Sequence, residues 1–159
     1  KRLFFIEPTR IFTIKGDTKM DDEISESIFK RVRAEPYAKK MGIEPVELDA
    51  GYSKVKMVFN ADMANMFGVA HGGAIFSLLD EAFVMAANSH GTVAVALSMN
   101  ITYIKPPSTG DVLYAEAREV SKSGRIGTYA INVKNEEDDL IAICQALAYR
   151  KRDKLPFLD

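Results

Sequence analysis

Five groups suited to a hydrolytic reaction fall within sixteen residues of this chain: the amide of Asn65, the imidazole of His71, the backbone N–H groups of Gly72 and Gly73, and the carboxyl of Asp80. Asp80 stands nine positions after His71, about two and a half turns on if the stretch is helical. Its helical neighbours Phe76, Phe83, Val84 and Ala87 are apolar, with Ser77 the exception. A carboxylate buried there without partners is costly or shifts upward in pKa, and a desolvated carboxylate is a stronger base or nucleophile than a hydrated one. The plainer alternative is that Asp80 and Glu81 both point at water, as most acidic side chains do. Residue type alone divides evenly between the two.

The neighbouring groups carry the same double reading. Glycines at the head of a helix permit tight backbone geometry, and the free N–H groups of a first turn can also hold a carbonyl oxygen as it becomes an oxyanion. His71 is placed either to donate a hydrogen bond to a substrate or to cap the helix. Asn65 can orient a water or a carbonyl, or simply build a turn. Cys144, the single cysteine, sits in the apolar run Ile141–Ala146 and reads as a small core residue. No Gly-x-Ser-x-Gly elbow is present. The two histidines, His71 and His90, lie far apart and neither begins a His-Glu-x-x-His motif. Carboxylate chemistry without a metal or cofactor is the remaining option.

These groups need elements to hold them. Ile24, Ile28 and Val32 recur at helical spacing and predict an amphipathic helix over 23–41, bent or divided at Pro36 and ended at Gly42. Extended stretches over 43–50 and 52–60 come next, joined at Gly51. Residues 74–88 are apolar on nearly every side, which requires a helix enclosed on most of its circumference. Four β-prone segments then cover 92–104, 111–121, 125–135 and 139–151, separated by residues with turn chemistry. The order predicts an α+β domain, an antiparallel sheet wrapped around a central helix.

The 159 residues, 47% of them hydrophobic, suffice for one buried domain and are too few for two. The domain is expected over 23–151, with 1–22 as an N-terminal extension and 152–159 as a C-terminal tail. Residues 1–19 differ in texture from the rest of the chain, and Met20-Asp21-Asp22-Glu23 resembles a natural start. With 21 basic and 22 acidic residues the net charge is −1, so no global field draws in nucleic acid or a membrane surface. No apolar run reaches the ~18 residues of a membrane span. One cysteine suits a reducing compartment, and a soluble cytoplasmic protein is the expectation.

Taken together, Asn65-x-x-Gly68-x-x-His71-Gly72-Gly73, Phe76-x-Leu78-x-Asp80-x-Ala82-Phe83, Ala87-Asn88-Ser89-x-Gly91, Met99-Asn100-Ile101-Thr102-Tyr103, Gly110-Asp111 and Gly124-Arg125 resemble the hotdog-fold acyl-CoA thioesterases of the PaaI (phenylacetic acid degradation) type. The resemblance runs over residues 25–151. It implies a long helix inside a curled sheet, and subunits that pair sheet to sheet with the site between them, as a dimer and by family habit a tetramer. It also implies Asp80 as general base or nucleophile, Gly72 N–H polarising the thioester carbonyl, and Asn65 and His71 orienting water and thioester. In such dimers Asp80 and the Asn65–Gly72 loop come from different protomers. Coenzyme A, part of the substrate rather than a cofactor, would lie by Lys122, Ser123, Gly124 and Arg125, helped by Arg150, with Gly73 and Tyr103 along the substrate channel. Lys122 and Arg125 are suited in kind to phosphates. The chain departs from some relatives at Val84, where a hydroxyl residue is usual, and at Ala96. A 3-hydroxyacyl-thioester dehydratase and an acyl-CoA-binding regulatory module are the competing readings; the first asks more of His71, and the second needs an output element that one N-terminal helix does not supply.

Overall fold

The computed structural model describes residues 20–158. In chain order they form α1 (Asp22–Ala34), α2 (Pro36–Met41), β1 (Glu44–Asp49), β2 (Tyr52–Val58), α3 (Gly72–Asn88), β3 (Thr92–Tyr103), β4 (Val112–Ser123), β5 (Ile126–Lys134) and β6 (Leu140–Lys154), with a short 3-10 turn at Ala61–Met63. The six strands pair antiparallel in the order β1-β2-β4-β5-β6-β3, and α3 packs against them. This is the α+β hotdog architecture, with a helical segment ahead of it. None of the described helices is long and apolar enough to cross a membrane.

Alternation along the strands explains why the helix lies where it does. The buried residues of β4, β5 and β6 include Leu113, Ala115, Ala117, Ile131, Val133, Ala142, Ala146 and Ala148. So many alanines leave the inner face of the sheet shallow, and α3 fills it with Leu78, Leu79, Phe83 and Met85. Each such side chain contributes ~2 kcal/mol of hydrophobic stabilisation. Phe83 meets Tyr129 edge to face at 5.3 Å between ring centroids. Ser53 on β2 is buried and donates its hydroxyl to the Ala82 carbonyl, tying helix to sheet at mid-length.

The N-terminal helix is divided at Pro36, one of the two outcomes anticipated. Proline disfavours helical geometry in the residue before it, and Glu35 is extended at ψ 127°. Asp21 caps α1 by accepting from the Glu23 N–H at 3.0 Å. At the other terminus, β6 continues to Lys154, Leu155 is buried, and its N–H donates to the Gly91 carbonyl at 3.2 Å. Residues from 152 to 155 therefore belong to the sheet and core and do not form a separate tail. The part of the expected extension at 1–19 lies outside the described residues.

One strand is left open. β3 closes the sheet on one side and pairs only with β6 among the described strands. A bulge between Ala96 and Ser98 makes Leu97 the extra residue, and Val95 and Leu97 are both exposed.

Candidate active site

His71 is the N-cap of α3: its Nδ1 accepts from the Gly73 N–H at 2.9 Å. A neutral ring whose Nδ1 accepts carries its proton on Nε2, so the exposed His71 offers an outward N–H donor. That capping bond occupies the N–H of Gly73. The N–H of Gly72 has no backbone or side-chain acceptor among the described residues, which leaves it as the first-turn donor for a ligand. Capping occupies one ring nitrogen of His71 and leaves the other uncommitted among the described residues.

Tyr103, at the end of β3, donates its hydroxyl to the Gly72 carbonyl at 3.0 Å. The ring lies so close that a Cβ on Gly72 would stand 3.0 Å from it. Space rather than φ favours glycine here: Gly72 has no positive φ, and a larger residue would make the tyrosine ring give way by a few tenths of an ångström. Tyr103 therefore packs the turn as well as flanking it.

Asp80 is the ninth of the 17 residues of α3. It is partly buried, and around it Gly73, Phe76 and Val84 are exposed, forming the one uncovered stripe of α3. No hydrogen bond or ion pair reaches its carboxylate among the described residues, and burial pushes its pKa above the usual carboxylate range. Asp80 in turn acts on the Cys144 thiol, whose pKa burial has already raised, and Cys144 acts on Tyr103. Helix and strands thus bring Asp80, Cys144 and Tyr103 to one place, and the thiol stays protonated, as a core residue rather than a nucleophile.

Asn65 anchors the loop before the helix. Its Oδ1 accepts from the N–H groups of Phe67 at 2.8 Å and Val69 at 3.4 Å, and its own N–H donates to the Val69 carbonyl at 2.8 Å. The amide oxygen is thus taken up in building the turn, and the NH2 group remains for a ligand. The same turn holds Met66 and Phe67 in water at 89% and 77% exposure.

Lys122, Ser123, Gly124 and Arg125 are exposed at the β4–β5 hairpin, where Gly124 at φ +57° makes the tight turn. Arg125 donates to the Tyr149 hydroxyl at 2.7 Å. Tyr149 pairs with Val95, eight residues from Tyr103 along β3, so the hairpin is about 25 Å along the sheet from the Gly72 turn of its own chain. Arg150 corrects the expectation drawn from resemblance. It is 7% exposed, and its guanidinium binds Glu119 Oε1 at 2.6 Å and the Tyr129 hydroxyl at 2.8 Å, which takes that head group away from any surface ligand.

Sequence reading missed that cluster. Glu119 Oε2 is 3.0 Å from His90 Nε2, and Oε1 also accepts from Tyr129 at 2.9 Å. Burial alone would raise the Glu119 carboxyl, yet hydrogen bonds from His90, Arg150 and Tyr129 outweigh it and bring the pKa down to about 2. Among the described residues no group of three or more His, Cys, Asp or Glu side chains is close enough to hold a metal ion.

With this geometry in view, the comparisons with known proteins converge. The family model of the thioesterase superfamily matches residues 67–142. A protein of Archaeoglobus fulgidus bearing an esterase designation is 43% identical over 70% of this chain and 72% of its own. The acyl-coenzyme A thioesterase PaaI of Escherichia coli is 35% identical over 71% of this chain and 81% of its own. The solved PaaI protein from the E. coli phenylacetic acid degradation operon superposes with a TM-score of 0.80 at 30% identity, covering 85% of this chain and 98% of that one. A Streptococcus mutans protein solved bound to acetyl CoA gives 0.68 at 26% identity, over 71% of this chain and 91% of that one. The chain belongs to the thioesterase superfamily and is a thioester hydrolase. Within that superfamily it is of the hotdog PaaI type.

Proposed function

We propose that this protein hydrolyses an aryl- or medium-chain acyl-CoA thioester to the free carboxylic acid and CoA, with no cofactor. The observation that carries the reading is the Asp80 carboxylate, desolvated and unpartnered at the centre of the uncovered stripe of α3. Asp80 takes a proton from an attacking water, or attacks the carbonyl carbon itself to give an anhydride that water then opens. The carbonyl oxygen, as it gains charge, accepts from the Gly72 N–H at the positive end of the helix. His71 Nε2–H and the Asn65 amide orient the thioester and the water. Collapse of the tetrahedral intermediate expels the CoA thiolate, which takes up a proton.

The site is assembled from two chains in this reading. An edge strand with exposed Val95 and Leu97 invites pairing, and β3 against its own copy in antiparallel register joins the two sheets. Such pairing carries each Lys122–Arg125 hairpin toward the partner's Tyr103 end, which answers the ~25 Å separation within one chain. It also gives the Met66–Phe67 tip and the Asp80 stripe an apolar cover. The resemblance to PaaI-type enzymes extends this to a pair of dimers. CoA phosphates then meet Lys122 and Arg125, with Ser123 and Gly124 offering close backbone approach.

The test is thiol release from a panel of aryl- and medium-chain acyl-CoAs. Turnover is expected with the native chain and lost with Asp80→Ala; binding of the esters without turnover would favour a regulatory module instead. Mixing Asp80→Ala chains with Asn65→Ala chains is expected to restore about a quarter of native activity, because half of randomly formed dimers then hold one intact site of two. No recovery on mixing would place all groups of a site in one chain.

A further inference from the structure

Glu81 is adjacent to Asp80 in the chain but points about 100° away around the helix. It is only 7% exposed, and its Oε1 has no hydrogen-bond partner among the described residues. One turn earlier on the same side, the Ser77 hydroxyl donates to the Gly73 carbonyl at 2.8 Å. Its single proton being used there, the 2.8 Å contact with Tyr37 has the tyrosine as donor. Ser77 borders the uncovered stripe, so Tyr37 of α2 stands beside the stripe that holds Asp80. The segment carrying Tyr37 follows Glu35, the extended residue between α1 and α2.

The ionisable groups that act on Glu81 are acids on both sides: Glu35 from the α1–α2 junction and Asp80 from its own helix. Tyr37, facing from α2, has its hydroxyl committed to Ser77. A neutral carboxyl tolerates such a place and a charged one does not.

We propose that Glu81 positions the α1–α2 segment on α3: protonated, it lets the segment stay seated with Tyr37 beside the exposed stripe that holds Asp80, and ionised, it weakens that seating and opens that side to water more often. Only the effect on activity rests on the thioesterase reading. Burial first, and then Glu35 and Asp80, raise the Glu81 pKa from its ordinary 4.5 to about 7 in the seated form. The open form, hydrated, keeps the ordinary value. Seating therefore binds a proton that opening releases, and the opening equilibrium rises about tenfold per pH unit from about 4.5 and levels above about 7.

Amide hydrogen exchange of residues 22–41 at pH 5 to 8, corrected for the intrinsic pH dependence of exchange, reads this directly. In the native chain, protection is expected to fall about tenfold per unit up to pH 7 and then to level. Glu81→Gln, neutral at every pH, should give a flat profile. Tyr37→Phe should lower protection at all pH values while keeping the native slope. A slope that persists in Glu81→Gln, or a flat native profile, overturns the proposal. Thiol release from an acyl-CoA by the same proteins separates the two readings: KM rising with pH in the native chain and level in Glu81→Gln supports the positioning role. No turnover with the exchange slope intact defeats the thioesterase reading alone, and turnover without the slope defeats the role of Glu81 alone.

Discussion

Two carboxylates placed along α3 have opposite company. Glu119, beside the C-terminal end of the helix, is held by His90, Arg150 and Tyr129, and its pKa falls to about 2. Asp80, half-way along, has no donor from the described residues, and its pKa is raised. Both are desolvated, so burial does not distinguish them; the number of donors aimed at each one does. A carboxylate saturated from three directions has no valence left for a ligand and serves to join β4, β5, β6 and the helix end. One left unsaturated in an open stripe has to find its partner in something that arrives.

The largest effect expected is at Asp80. Asp80→Asn should lower thioester hydrolysis by about 10³-fold, the scale of losing a general base, with stability unchanged or improved because an uncompensated charge is removed. Turnover assays alongside urea melts check both halves. A variant that loses activity because it unfolds would erase the contrast.

Glu119→Gln should do the reverse. It leaves the buried Arg150 guanidinium without its counter-charge, which costs about 3 kcal/mol of stability, while turnover per folded chain stays native. The two sites also differ in the sign of their pH dependence. Glu119 has a depressed folded pKa, so its stabilisation is fully present above about 4.5 and is lost as pH falls toward about 2. Acid titration of the Glu119→Gln variant should therefore show a shallower loss of stability across that window than the native chain.

His71 gives the smallest and most discriminating effect. His71→Ala removes the cap of α3 at about 1 kcal/mol, whereas His71→Asn supplies a capping side chain and should keep the stability. If the Nε2–H orients the substrate, His71→Asn still raises KM. If capping is its only task, His71→Asn behaves as the native chain in both assays.

The Asp80 half of this contrast is readable in the sequence and the other half is hidden. Asn65, His71, Gly72 and Asp80 lie close together in the chain, with Gly72 and Asp80 on one helix, where helical period sets their spacing, and Asn65 in the turn just ahead of it. The apolar run after Gly73 likewise announces an enclosed helix, and the turn residues beyond it announce four antiparallel strands. His90, Glu119, Tyr129 and Arg150 are dispersed over sixty residues and meet only through strand order and register, neither of which periodicity reports. That is why Arg150, expected from the resemblance to help hold coenzyme A near the basic hairpin, is found inside, bound to Glu119 and Tyr129. Division at Pro36 is legible as one of two outcomes, because proline states its local geometry and not what the next segment packs on. The continuation of β6 past 151 is not, since Lys151, Arg152 and Lys154 carry the composition of a solvated tail although the strand they extend pairs with β3 as far as Lys154.

The hollow that Tyr103 occupies above Gly72 has a consequence for the order in which this protein can change. An alanine at position 72 would stand 3.0 Å from the tyrosine ring, tight enough that this half-exposed side chain must give way by a few tenths of an ångström. The two positions are thus coupled: a smaller side chain at 103 makes room for a larger one at 72. In the opposite order the ring has to shift, and its hydrogen bond to the Gly72 carbonyl is the contact at stake.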